Sequence, residues 1–185
     1  MNPYILASTG IGAVLFVLLC VQVLGGKPQN LASWILFELL TAVAAASVFV
    51  QNGNYMISLV WAIGNTAGTL CIIKLGKTSW GRLETAAVLI VLVCLGVWAI
   101  SGPRMATIAT SIAFLTAGIP QIRDTWHEPW NSSLVVYFGF AGASALSVVA
   151  GKDWSVEQRL FPSVLVLFNS IVGAVACRKF WLKQT

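Results

Sequence analysis

From Tyr4 to Leu24 the chain carries no charged side chain. Six more apolar stretches follow, at approximately 31–50, 55–74, 85–101, 104–122, 132–151 and 161–178. At 1.5 Å per residue, each is long enough as a helix to cross roughly 30 Å of hydrocarbon, the fourth being the shortest. Lipid offers the backbone no hydrogen-bond partner, so a crossing segment must satisfy its own amides, and a helix does this. Only 9% of the residues are charged, against about a quarter in a soluble domain, and the loops leave no room for one. The runs therefore predict an all-α integral membrane protein with seven transmembrane helices. The opening "MNPYILAS" has no basic stretch, and the run it begins is longer than a usual signal core, so it reads as a retained helix.

The placement of charge carries more information than the net +5. Lys27, Lys74, Lys77, Arg82, Arg123, Arg178, Lys179 and Lys183 fall on one side of the seven-span layout, and Arg104, Lys152 and Arg159 on the other. The positive-inside bias then predicts an N-terminus outside and a C-terminus in the cytoplasm. Topology accounts for the excess charge, and no nucleic-acid partner is needed. Lys74 and Arg178 sit at helix ends, where their stems snorkel. Cys20, Cys71, Cys94 and Cys177 lie in apolar runs without metal-ligand or disulfide spacing, and read as buried unpaired thiols. His127, the sole histidine, stands beside Glu128 in a charged loop and reads as solvated. No metal or cofactor is expected. An enzyme would need a nucleophile with its base, or a carboxylate and histidine facing one cavity; one intramembrane Glu and one loop His do not supply that.

Seven spans invite a search for internal symmetry. Laying "VQVLGGKPQNLAS" (21–33) over "PQIRDTWHEPWNSS" (120–133) pairs Gln22 with Gln121, Pro28 with Pro129 and Asn30 with Asn131, given two extra residues in the second loop. Laying "WAIGNTAGTLCIIK" (61–74) over "LFNSIVGAVACRK" (167–179) pairs Gly68 with Gly173 and Lys74 with Lys179, with Asn65 and Asn169 one residue out of register. On this alignment the counterpart of Pro120-Gln121 is Val21-Gln22, and the loop pair Pro28-Gln29 repeats the dipeptide by chance. The units are a three-helix repeat over 1–79, a linker helix over 80–103 and a second repeat over 104–185. The small-residue runs at 41–47 and 139–147 let helices 2 and 6 approach their neighbours closely. Three plus one is even, so both triplets share one orientation, as in parallel-repeat transporters with a pathway between the halves.

This 3+1+3 layout, the outside N-terminus, the Pro-Gln near the cytoplasmic end of helix 5 and the asparagine in each third helix resemble the PQ-loop superfamily. That family includes the SWEET sugar transporters, the cystinosin-like amino-acid exporters and the KDEL receptor. The resemblance implies a SWEET-like bundle working by alternating access, with Pro120 and Gln121 at a gating hinge and Gln22 at the matching position. Val21 departs from the pattern, so a hinge in the first half is not implied. It also implies that Asn65 and Asn169 line a substrate cavity.

The residues themselves leave alternatives. Pro120 either kinks helix 5 or ends it before "RDTW". Asn65 and Asn169, near the midplane, are cavity amides or interhelical glue. Trp61, four residues before Asn65 and hence on its face, is a stacking surface for a sugar ring or a packing residue; its repeat mate is Leu165 or Val166. Glu38 is an intramembrane carboxylate, hence a proton-coupling candidate or a structural pair. Trp34, Trp80, Trp126, Trp130 and Trp181 read as interface anchors, and Trp154 as a lid or an anchor. The expected function is transport of a small neutral solute, a sugar first and an amino acid second, with the lipid bilayer as the other partner and homo-oligomer formation left open. A KDEL-type receptor is the alternative, although it needs buried basic residues that the spans do not supply.

Overall fold

Asn2 accepts a hydrogen bond from the Tyr4 amide at 2.9 Å and Pro3 takes the first helical position, which starts α1 (Pro3–Leu24) at the head of the first apolar run. Asn30 does the same for α2 (Leu31–Val50) by accepting from Ser33 N at 3.0 Å. The computed structural model describes residues 2–27, 29–75 and 81–182; Pro28, Lys77, Trp80, Lys183 and the Cys94 side chain, named above, lie outside what it describes. The remaining elements are α3 (Met56–Leu75), α4 (Arg82–Ala117), α5 (Ile119–His127), α6 (Leu134–Ala150), a π-helical turn (Val156–Leu160), α7 (Phe161–Ala176) and α8 (Arg178–Leu182). Among the described residues the protein is all-helical.

Helix α4 is two rods. Gly102, at φ 81° and ψ 175°, interrupts it, and Pro103 follows at once. A side chain strains this backbone, so glycine is required there. Ser33 Oγ donates to Ala117 O at 2.7 Å and Gln51 Nε2 to Thr107 Oγ1 at 3.1 Å, so the rod after Gly102 runs antiparallel to α2. Gly102 is thus the kink between the two rods.

Five stretches are long and apolar enough to cross a membrane: Pro3–Leu24, Leu31–Val50, Met56–Leu75, Trp98–His127 and Val156–Leu182. α6 is apolar but shorter, at 17 residues. This is the make-up of a multi-pass membrane protein. Its outward faces are correspondingly apolar, with Val14, Val17, Ile63, Leu70, Val93 and Ile100 all exposed.

Packing orders the rods. α3 lies against both α1 and α2, and α7 lies against α6, α5 and α4. The two sets meet through α1 on α6 and through α2 on α4. Between them sits an aromatic core. Phe37 stacks on Phe114 at 4.5 Å, Phe168 meets Phe37 edge-on at 5.2 Å, and Phe140 lies 4.6 Å from Phe16. Such pairs add about 0.5–1.5 kcal/mol each beyond the area they bury.

Candidate functional site

Between the two sets of helices is a void of about 10 Å³, walled by Phe16 and Leu19 of α1, Trp34 and Phe37 of α2, and Trp61 and Asn65 of α3 on one side. Tyr137 and Phe140 of α6 and Phe168 and Asn169 of α7 wall the other. It has room for about one water molecule. The structure thus brings Asn65, Asn169 and Trp61 together around one space.

Asn169 Nδ2 donates at 2.7 Å to Leu165 O of its own helix, and its Oδ1, fully buried, makes no hydrogen bond within the protein. Asn65 Nδ2 donates to Thr41 Oγ1 at 3.3 Å, and its Oδ1 is likewise without a protein partner. The indole N–H groups of Trp34 and Trp61 also lack protein partners. Two acceptors and two donors around one void are costly, each roughly 1–3 kcal/mol unless satisfied. They suit a neutral solute that both donates and accepts.

Trp61 does not present an open face: Phe140 lies 4.9 Å from its ring, and Phe16 and Phe114 meet it edge-on at 5.4 Å and 6.0 Å. Trp34 corrects an expectation. It is not an interface anchor; it is buried in the void wall, its ring lying where a Cβ on Gly68 would be. Phe16 overlies Gly64 and Phe168 overlies Gly118 in the same way. The missing side chains let large rings lie against neighbouring backbones. By contrast, Trp126, Trp130, Trp154 and Trp181 are exposed. Trp154 stands out from the 151–155 loop under the Arg159 guanidinium, 4.1 Å from its ring. In that loop the Ser155 hydroxyl and amide hold the Asp153 carboxyl below the usual carboxylate range.

Glu38 is outside the void wall. It is half-buried on α2, and its Oε1 accepts from Thr66 Oγ1 of α3 at 3.1 Å. Cys20, Cys71 and Cys177 are free and only partly buried, not fully buried as their runs suggest.

Two polar layers lie toward opposite ends of the bundle. At the Gln121 end, Gln121 Nε2 donates to Gln29 Oε1 at 2.9 Å, and its Oε1 accepts from Asn30 N at 3.3 Å, the start of α2. Gln22 Nε2 donates to Ser133 Oγ at 3.3 Å, the residue that starts α6. Each glutamine thus reaches the first turn of the second helix in the other set. Asn30 Nδ2 adds a bond to Asp124 Oδ2 at 2.9 Å, and Thr125 and Ser132 share one at 2.8 Å. At the Asn54 end the acceptors are mostly carbonyls. Asn54 Nδ2 donates to Ser147 O and Oγ, Asn54 N to Glu157 O, Gln51 Nε2 to Pro103 O, and Asn2 Nδ2 to Ala150 O.

Pro120 does not end its helical stretch. α4 stops at Ala117, Gly118 keeps helical torsions at φ −79° and ψ −14°, and α5 carries Pro120 buried in its first turn and continues to His127. Arg123 and Asp124 are therefore helical rather than in a loop. Counted from the first residue of each helix, Trp34 of α2 stands where Tyr137 of α6 does, Phe37 where Phe140 does and Thr41 where Ser144 does. Comparison with protein-family models, with curated proteins and with solved structures finds no match.

Proposed function

We propose that the protein is a transporter of small neutral solutes, a seven-helix bundle of the 3+1+3, SWEET-like kind in the PQ-loop superfamily, working by alternating access. One observation carries the reading: Asn65 and Asn169, each about ten residues into its helix, α3 and α7, flank one small void with their Oδ1 atoms unpartnered in the protein. The packing order supports the repeat, since α3 lies between α1 and α2 as α7 lies between α6 and α5 with the end of α4. The linker is then the first rod of α4. A void of about 10 Å³ is far smaller than a sugar, so the site has to widen to admit one. A sugar is the first solute class and an amino acid the second. A receptor for a peptide carboxylate finds no support here, because no basic side chain walls the void.

Orientation follows the charge. Lys27, Lys74, Arg82, Arg123, Arg178 and Lys179 belong to the Gln121 end, which is then cytoplasmic, and Arg104, Lys152 and Arg159 to the outer end. The gating flex falls at Gly118–Pro120, where Pro120 has no amide to donate back across the α4–α5 junction.

Proteoliposome uptake of labelled sugars and amino acids, with and without a pH gradient, tests the reading; movement of at least one solute is expected, and none moving ends it. Because Glu38 is bonded to Thr66 away from the void, Glu38→Gln is expected to leave any pH dependence of uptake unchanged. Loss of that dependence would restore Glu38 as the proton carrier.

A further inference from the structure

Tyr137 belongs both to the void wall and to the polar layer at the Gln121 end. Its ring lines the void. Its hydroxyl donates to Gln29 Oε1 at 3.0 Å and accepts from Gln121 Nε2 at 3.2 Å. Gln121 Nε2 also donates to Gln29 Oε1 at 2.9 Å, so the three side chains form a closed ring of bonds. Gln29 comes from the first set of helices and the other two from the second, and all three are buried. The amide oxygen of Gln29 has two lone pairs and spends both on this ring.

The corresponding aromatic in the first half behaves differently. Trp34 also lines the void, but its N–H makes no bond within the protein and its ring rests on Gly68. Of these two matched residues, only Tyr137 connects the void to a closing layer.

We propose that Tyr137 is the positioning residue that latches the Gln121 end over the void. Its ring cannot leave the void wall without drawing its hydroxyl from Gln29, so void and closing layer open together. The purpose of the latch rests on the transporter reading; its geometry does not.

The test uses a full-length chain in which Cys20, Cys71, Cys94 and Cys177 are replaced by Ala or Ser and Asn65→Cys reports from the void. N-ethylmaleimide labelling in detergent then measures how often the void opens. Tyr137→Phe keeps the ring and removes the hydroxyl, and is expected to raise the labelling rate about tenfold, the size set by losing one such hydroxyl from a two-state closure. Gln29→Leu, which breaks the same ring from the facing side, is expected to give a similar rise. The double variant should label no faster than the faster single one, because one set of bonds is lost only once. An unchanged rate in Tyr137→Phe overturns the proposal, and so does a double variant in which the two accelerations multiply, the mark of general loosening. Labelling requires no solute. Acceleration in a chain that moves no solute would end the transporter reading and keep the latch; unchanged labelling in a chain that transports would end the latch alone.

Discussion

Replacing Asn65 and Asn169 together by leucine is expected to lower uptake by about a hundredfold, roughly tenfold for each lost solute hydrogen bond, while the melting temperature in detergent holds or rises. The two directions separate a solute site from structural glue. Asn169 makes no bond to another helix, since its amide donates to Leu165 O one turn back. Its Oδ1 is a buried acceptor with no protein partner, and removing such a group is neutral or favourable to stability. Asn65 does reach another helix, but Thr41 Oγ1 keeps its bond to Phe37 O at 2.6 Å once the amide is gone. Leucine matches asparagine in the number and branching of its side-chain heavy atoms, and its methyl groups are the bulkier ends, so no cavity results. Uptake into proteoliposomes and thermal unfolding of the same preparations check the pair. A fall in melting temperature that tracks the loss of uptake would return both residues to a structural role.

Gly64→Ala should destabilise the protein by about 3 kcal/mol, the upper part of the usual range for overpacking a filled interior. The Phe16 ring occupies the place where the new methyl would be, and Phe16 is held by Trp61 at 5.4 Å and Phe140 at 4.6 Å. It has no free side to move to except the void, so the variant should also lose uptake. Gly10→Ala supplies the contrast. Nothing lies within 4 Å of its added Cβ, and alanine in a helix is favoured over glycine by about 0.5–1 kcal/mol. Opposite signs for two glycine-to-alanine changes are the expected result of thermal unfolding in detergent. If both changes stabilise, the close approach of Phe16 to α3 is not a tight one.

The helical segments were legible because hydrophobic runs and their punctuation are local properties. Asn2 and Asn30 sit where sequence placed the starts of the first two helices, and Gly102-Pro103 divides rods where the fourth and fifth runs were separated. What sequence misjudged was the meaning of polar residues near helix ends. Arg123 and Asp124 read as loop because they are charged, yet α5 continues through them to His127, and Asp124 is used by Asn30 across the bundle. Trp34 read as an anchor because it lies one turn into an apolar run. Its inward placement depends on Gly68 of another helix, a complement that no single segment reveals. One signal was present. Counted from the first residue of each helix, Trp34, Phe37 and Thr41 stand at the positions of Tyr137, Phe140 and Ser144. Glu38 was singled out as a carboxylate within a span, and the sequence does not give the facing of Thr66 that ties it to α3.

The two polar layers are built from different materials, and this bears on how the sequence can drift. A carbonyl accepts the same bond whatever side chain it carries, so Glu157, Ala150 and Pro103 can be exchanged for other residues without unmaking the contacts from Asn54, Asn2 and Gln51. At the opposite end every bond among Gln29, Gln121 and Tyr137 names both partners. A change in one of those three requires an answering change in another, so related chains should vary freely at the first face and in concert at the second.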